Sequence, residues 1–379
     1  MKITEVRTHV LEATLSQPFA YSRAWYDRRT AMIVEIETDD GLTGWGESYG
    51  PARITAAAVE AMAPWLIGED PLCTEHLWQE LYASLRDHGQ KGVIVQALSG
   101  IDIALWDIKG KHFGVPVSRL MGGPLREGVR AYATGLYRRR SGDPLRYLAE
   151  EAAGYAAEGF GAVKLKVGFG VEEDARATAA VREAIGPDVG LMVDANHAYD
   201  PIEAIRLGRK IERYDIAWFE EPVPPEDLAG YRAVKAALPF PIAGGECEFT
   251  RFGFRDLFVS HALDIAEPDT CAAGGLSECK KIADMAVAFG IRYNPHVWGT
   301  GIAIAASLQL LAVLPPHTPP ALSALEPMLE FDRTEHPIRA ALLSAPIEHD
   351  RGVVRIPAAP GLGISVDREA LVRFGARGA

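Results

Sequence analysis

Several features that mark other protein classes are scarce in this sequence. The 379 residues include four cysteines and no C-x-x-C pair, so reduced thiols are expected. The N-terminal segment lacks the continuous apolar stretch of a signal peptide, and the longest apolar run, 301–316, is too short to span a bilayer. The 39 Lys and Arg residues are outnumbered by 51 Asp and Glu, with no basic run to attract a phosphate backbone. These absences predict a cytoplasmic protein without a membrane or nucleic-acid partner.

The remaining composition is that of a large enzyme, and its texture changes near residue 125. Hydrophobic residues make up 48% of the chain, enough for an extensive core. Residues 1–125 mix alternating segments with helical ones, and Asp39-Asp40-Gly41 between two such segments is a hairpin turn signal. We therefore predict an α+β module for this part.

From residue 126 to 326, short apolar segments are each followed by a stretch of helical periodicity. Repeated strand–helix units predict a parallel barrel, because each parallel crossover needs a helix to return the chain. The tail, 327–379, breaks this period and is expected to pack back on the first module. Eight strands are predicted, at 129–135, 162–168, 190–196, 216–222, 240–246, 263–269, 291–298 and 321–327.

Polar residues stand at the ends of these predicted strands, about 23 to 30 residues apart, which is one strand–helix unit each. Since the carboxyl ends of barrel strands share one mouth, these residues should converge there. They are Lys164, Lys166, Asp194, Asn196, Glu220, Glu221, Glu246, Asp269, His296 and Glu326.

Three of these carboxylates, Asp194, Glu220 and Glu246, come from consecutive strands. Their combined charge in a half-buried mouth is costly without a cation, and Mg²⁺ prefers such all-oxygen ligands. Asp269 and His296 lie on adjacent strands and should pair, which would fix the tautomer of the histidine and raise its basicity. The sequence thus predicts a Mg²⁺ site facing an acid/base pair.

The segment Val163–Gly168, VKLKVG, places two lysines on one face of a predicted strand. Strand alternation should turn Lys164 and Lys166 into the barrel and Leu165 outward to the helices. Two neighbouring ammonium groups should also make Lys166 easier to deprotonate.

The order of these residues, K-x-K, Asp, Glu, Glu, Asp, His, Glu, resembles the mandelate racemase branch of the enolase superfamily over essentially the whole chain. The resemblance implies a modified (β/α)7β TIM barrel with an α+β capping domain built from the N-terminal part and the C-terminal tail. It implies Mg²⁺ on Asp194, Glu220 and Glu246, with Lys166 as the base on one face of the substrate. Lys164 would hold substrate carboxylate charge, the Asp269–His296 dyad would act on the other face, and Glu326 would hydrogen-bond the developing enediolate.

Within this family, the implied reaction is removal of the proton α to a carboxylate, with the opening of an aldarolactone to a 3-deoxy-2-keto hexarate. An acid-sugar dehydratase and a racemase of the same branch are alternatives, and a non-catalytic sugar-acid binder is one from another class. The resemblance also implies a homo-oligomer, either a dimer or an octamer.

The long stretches that carry the resemblance are interrupted where a substrate would be gripped, at 16–26, 136–142 and 247–251. The first of these lies in an aromatic and arginine-rich segment that the family uses as a lid over the barrel mouth. An arginine there could bind a distal carboxylate with two hydrogen bonds. The predicted substrate-binding residues are Tyr21, Arg23, Asn196 and Trp298.

Overall fold

The computed structural model describes residues 1–317 and 325–376. The N-terminal module combines an antiparallel sheet with helices on one face. Its elements are β1 (Ile3–Ala20), β2 (Trp25–Thr38), β3 (Thr43–Ser48), α1 (Ala52–Met62), α2 (Thr74–Leu85), α3 (Val93–Phe113) and α4 (Val117–Leu120). The turn at Asp39-Asp40-Gly41 joins β2 to β3, and Gly41 has the positive φ of 84° that favours glycine. The predicted hairpin is therefore confirmed.

A parallel barrel follows, with helices outside it. Its elements are β4 (Gly128–Thr134), the short β5 (Arg138–Arg139), α5 (Pro144–Ala157), β6 (Ala162–Lys166), α6 (Val171–Ile185), β7 (Gly190–Asp194), α7 (Pro201–Ile211), β8 (Ile216–Glu220), α8 (Leu228–Ala237), β9 (Ile242–Gly244), α9 (Thr250–Val259), β10 (Ile265–Ala266), α10 (Gly275–Ala288), β11 (Arg292–Tyr293), α11 (Gly301–Leu311) and β12 (Leu329–Asp332). Strands β4 and β6 to β11 pair in parallel in chain order, and β12 pairs with β4. In the described chain, seven of the eight predicted strands overlap these.

The eighth strand differs from the prediction. The predicted segment 321–327 lies partly outside the described residues, and the barrel strand is Leu329–Asp332. The barrel thus continues past the predicted domain boundary at 326. Side chains bridge β11 and β12: Asn294 Oδ1 accepts from the Met328 amide, and Glu330 accepts from the Val297 amide, both at 2.9 Å.

The tail packs against both parts of the molecule. Its elements are α12 (Pro337–Leu342), β13 (His349–Asp350), β14 (Val353–Arg355) and α13 (Arg368–Phe374). β14 pairs with β4, whereas α12 and α13 contact β1. The prediction that the tail returns to the first module therefore describes only part of its packing.

Strand alternation divides the barrel interior into layers. The lowest layer is apolar and consists of Tyr132, Ala162, Met192, Trp218, Ala243 and Ile265. Two residues further along β6, β7 and β8, the inward side chains are Lys164, Asp194 and Glu220. Leu165 instead joins the apolar layer between strands and helices, as predicted. The barrel interior therefore has an apolar layer of side chains, named here the apolar floor, and a charged layer above it at the carboxyl ends of the strands, named here the mouth.

Helix α3 joins the module to the barrel. It passes so close to β3 that a Cβ atom at Gly46 would lie 1.9 Å from the Gly100 carbonyl oxygen. On its other side, Asp102 accepts from the amide and hydroxyl of Ser277, at 2.9 and 2.6 Å. A second link is Glu47 of β3, a buried carboxylate that accepts from the Thr300 and Ala303 amides where α11 begins. The two parts share buried polar contacts as well as apolar packing.

We expect Glu47→Ala to lower the free energy of unfolding by about 2–4 kcal/mol, because it leaves buried donors of Thr300 and Ala303 without an acceptor. Urea denaturation followed by circular dichroism measures the change. Glu150→Ala, which breaks the exposed pair with Arg146, is the control and should cost less than about 1 kcal/mol. Equal losses in the two variants would contradict the linking role of Glu47.

Candidate active site

Three buried carboxylates meet at the barrel mouth, as the sequence predicts. Asp194 ends β7, Glu220 ends β8, and Glu246 follows β9 by two residues. One oxygen from each lies within 4.8 Å of the others. Burial and the charge of Asp194 raise the pKa of Glu220 to about 7. Such mutual repulsion is what a shared cation relieves.

The donor set fits a hard divalent ion. All three ligands are carboxylate oxygens, the type that Mg²⁺ prefers. Glu246 is 9% exposed, and its Oε2 accepts no hydrogen bond from the described residues. The Nε2 atom of His296 lies 3.4 Å from this oxygen, without hydrogen-bond geometry. An oxygen that is buried and unpaired in this way has the capacity to bind a metal.

The two lysines of β6 supply positive charge to this cluster. Lys164 Nζ lies 2.6 Å from Glu220, 2.8 Å from Glu330 and 3.7 Å from Asp194. Lys166 pairs with Asp194 and donates to Asn196 Oδ1 at 3.1 Å. Both ammonium groups therefore point into the mouth.

Lys164 acts on Lys166 in the predicted direction, but it does not decide the pKa of that lysine. Burial and the Lys164 charge both lower the pKa of Lys166, but the carboxylates, with Asp194 foremost, outweigh them and raise it. The ion pair with Asp194 therefore has a larger effect on Lys166 than the neighbouring ammonium group has.

The expected pair of Asp269 and His296 forms on the neighbouring strands. Asp269 follows β10, His296 follows β11, and Asp269 Oδ2 lies 2.6 Å from His296 Nδ1. Burial lowers the pKa of His296, but Glu246 and the hydrogen bond to Asp269 outweigh this and raise it to about 9. The pair leaves Nε2 directed toward Glu246.

Glu326 is not part of this cluster. Its side chain is 43% exposed and pairs with Arg126 beside a cavity at the amino-terminal end of the barrel. The strand begins three residues later, so Glu330 occupies the inward position instead. Glu330 contacts Lys164 and accepts from Thr134 Oγ1 at 2.6 Å. Alternation within Leu329–Asp332, LEFD, was the signal that could have identified it.

A cavity of about 270 Å³ opens above the carboxylates and contains the predicted substrate-binding residues. Tyr21 and Arg23 reach it from the β1–β2 hairpin, Trp298 from the segment after β11, and Asn196 from the end of β7. Lys166, Glu246 and His296 line the same space. The described residues that complete its wall are Tyr26, Tyr49, Tyr137, His197 and Cys247.

Three positions beside the ligands have left-handed backbone conformations that non-glycine residues seldom adopt. Asn196 has a φ of 43°, His197 a φ of 65° and Glu221 a φ of 42°. The His197 amide donates to the Glu221 carbonyl at 2.9 Å, which locks the two strand ends together. His197 is not among the predicted site residues, because neither its spacing nor its neighbours in the sequence distinguish it.

Comparisons with known proteins agree with this geometry. Residues 3–122 match the mandelate racemase / muconate lactonizing enzyme N-terminal domain, and residues 147–370 match the enolase C-terminal domain-like family. The chain is 54% identical over 374 residues to D-galactarolactone cycloisomerase of Agrobacterium fabrum, covering 99% of each protein.

Two further relatives are similar along most of their length. The crystal structure of 3,6-anhydro-D-galactonate cycloisomerase from Zobellia galactanivorans has a TM-score of 0.91 and 43% identity over 100% of both chains. L-talarate/galactarate dehydratase of Salmonella typhimurium is 36% identical, covering 89% of this chain and 81% of its own. The crystal structure of a mutant of L-talarate/galactarate dehydratase, liganded with Mg and L-glucarate, is also similar. Its TM-score is 0.87 at 32% identity, and the match covers 99% of this chain and 92% of the dehydratase chain.

The resemblance expected from the motifs is thereby confirmed, together with a capping domain on a barrel. In the described part of the chain, no helix has both the length and the apolar character needed to cross a membrane. The chain belongs to the mandelate racemase / muconate lactonizing enzyme family of the enolase superfamily.

Proposed function

We propose that this protein is a cycloisomerase that opens an aldarolactone, removing the proton α to the free carboxylate and expelling the ring carboxylate from the β carbon. The enol product then takes up a proton to give a 3-deoxy-2-keto hexarate of unchanged composition. The observation that carries this proposal is the shared cavity, which brings Lys166, His296 and Glu246 to one small space. The 54% identity to D-galactarolactone cycloisomerase supports the lactone as substrate.

The metal in this proposal is Mg²⁺, held by Asp194, Glu220 and Glu246. When bound, it would supply positive charge beside the carboxylate whose α carbon loses its proton. The buried unpaired oxygen of Glu246 supports this assignment. So does the Mg in the L-glucarate complex of the dehydratase variant.

Lys166 is proposed as the base and Lys164 as the fixed positive charge beside it. Lys164 contacts three carboxylates and is fully buried, so it stays charged and suits charge stabilisation. Lys166 borders the cavity and is held by a single carboxylate, Asp194. Neutralising that carboxylate would remove the main interaction that keeps the proton on Lys166.

The Asp269–His296 dyad is proposed to act on the opposite face of the substrate. With its pKa raised to about 9, His296 in this arrangement carries a proton at neutral pH and can donate from Nε2. Glu330, replacing Glu326 in our assignment, acts through Lys164 as a positioning residue.

The lid residues are proposed to grip the part of the substrate that does not react. Arg23 has no hydrogen bond or ion pair with the described residues, so its guanidinium is available for a distal carboxylate. Tyr21, Trp298 and Asn196 would close around the sugar ring. The volume of about 270 Å³ suits a ligand of sugar size.

A second candidate reaction is dehydration of an open-chain acid sugar, favoured by the 36% identity to L-talarate/galactarate dehydratase. It would begin with the same proton removal and expel water instead of the ring carboxylate. A non-catalytic binder would require neither the carboxylate triad nor the histidine dyad.

The cytoplasmic location and the homo-oligomeric state stay predictions.

The deciding experiment is a panel of galactaro- and glucarolactones beside the open aldarates, followed by ¹H NMR in deuterated water. With Mg²⁺ we expect a product from the lactone alone, of the same composition as its substrate, and none with EDTA. Loss of water from an aldarate would instead identify a dehydratase. Absence of α-proton exchange from every compound would identify a binder.

We expect Glu330→Gln to lower kcat by about 10²-fold with a smaller change in KM, because the charge that holds Lys164 in place is lost. Steady-state kinetics on the lactone measures both constants. Glu326→Gln is the matched control and should retain the wild-type kcat, since Glu326 contacts Arg126 at the other end of the barrel. Loss of activity in the control alone would restore the original assignment.

In the metal-free protein we expect Asp269→Asn to lower the pKa of His296 by about one pH unit or more, because the carboxylate stabilises the imidazolium. A pH titration of ¹⁵N-labelled histidines by NMR measures this value. The pKa of His317, which burial lowers to about 4, is the internal control and should not change. An unchanged His296 titration would show that Asp269 does not set its charge.

A further inference from the structure

A second group of potential metal ligands lies beside the carboxylate triad. It consists of His197, Glu221, Glu246 and Cys247, named here the thiol cluster. One ligand atom from each lies within 4.8 Å of the others. His197 Nε2 is 3.1 Å from Glu221 Oε2 and 3.5 Å from Cys247 Sγ. None of the roles proposed above uses His197, Glu221 or Cys247.

The spacing of these atoms suits a tetrahedral ion. Zinc bonds of about 2.0–2.3 Å place neighbouring ligand atoms of a tetrahedron roughly 3.3–3.8 Å apart. The 3.5 Å between Cys247 Sγ and His197 Nε2 falls in this range, whereas the 3.1 Å between His197 Nε2 and Glu221 Oε2 would have to lengthen slightly. The backbone hydrogen bond between His197 and Glu221 holds two of the ligands in place.

The cluster also contains a buried atom with unused hydrogen-bonding capacity. Oε2 of Glu246 is buried and accepts no hydrogen bond from the described residues. Cys247 is exposed to the cavity, so an ion could enter from that side. The cluster therefore has an accessible soft ligand and a buried oxygen with unused capacity.

The ligand chemistry separates the thiol cluster from the triad. The triad offers oxygen only, which favours Mg²⁺, whereas the thiol cluster adds an imidazole nitrogen and a sulfur, which favour Zn²⁺. Glu246 belongs to both groups. An ion in the thiol cluster would thus share a ligand with the triad and occupy the cavity that Lys166 and His296 line.

We propose that the thiol cluster is a binding site for a thiophilic divalent cation such as Zn²⁺, and that its occupation inhibits the enzyme. Binding forms a metal–sulfur bond at Cys247 and releases the thiol proton to solvent, with no redox change. The inhibitory part rests on the proposed function, since it requires the substrate to use this cavity.

The metal site can be tested without turnover. Co²⁺ added to the Mg²⁺-loaded protein should give the near-ultraviolet charge-transfer absorption of a cobalt–thiolate bond. This band should disappear in Cys247→Ser, a nearly isosteric change, and weaken in His197→Gln. Cys73→Ser, at an exposed cysteine outside the cavity, is the control and should keep the band. Absence of the band, or its loss only in the control, would overturn the site.

Inhibition is tested separately with Zn²⁺ on the Mg²⁺-loaded enzyme. The concentration for half-inhibition should rise at least about tenfold in Cys247→Ser, each protein being compared with its own activity in Mg²⁺. Equal sensitivity would place Zn²⁺ on the oxygen triad and overturn the inhibitory role. A protein that gives the cobalt band but opens no lactone would support the metal site and contradict the proposed reaction.

Discussion

Buried like charges at the barrel mouth constrain the rest of this structure. Asp194, Glu220 and Glu330 are each at most 1% exposed, and an unpaired ion at such depth costs several kcal/mol. Lys164 reaches all three, because a single position on β6 faces the centre of the barrel. The apolar floor below and the helices outside exclude water, which strengthens every interaction in the mouth. The positive and negative charges in the mouth must therefore be balanced against one another, and this requirement limits which residues can occupy the inward positions of these strands.

The N-terminal module and the barrel together form the wall of the cavity at the barrel mouth. Glu47 binds the start of α11, and the buried pair of Arg29 with Asp332 joins β2 to the last barrel strand at 2.7 Å. Both contacts lie close to the cavity wall formed by Tyr49 and Trp298. Because the module contributes buried charges to the interface, its position relative to the barrel is fixed by specific partners. The reacting groups and the groups around them are consequently joined by one connected set of buried contacts.

The sequence predicts the parts of this site that depend on periodicity. The triad, the two lysines and the histidine dyad follow from the spacing of strand ends, and the structure brings them together. Glu326 was chosen because an apolar segment precedes it, although the inward glutamate is Glu330 on the following strand. The charge state of Lys166 depends on its contact with Asp194, and the thiol cluster depends on the left-handed turn at His197. These last features produce no regular spacing in the sequence, so periodicity cannot predict them.

The tip of the first hairpin, Tyr21–Ala24, separates β1 from β2 and belongs to neither strand. Tyr21 and Arg23 reach the cavity from this tip, whereas the hairpin is held by the pairing of β1 with β2 further down. Substitutions of Tyr21 or Arg23 would disturb no strand pairing, whereas Ser22 anchors the tip, because its hydroxyl donates to the Ala195 carbonyl at 2.8 Å. The side chains that would select a substrate are therefore carried by a short connection, whereas the side chains that would remove its proton are carried by the barrel strands. The two sets can be changed separately by mutation.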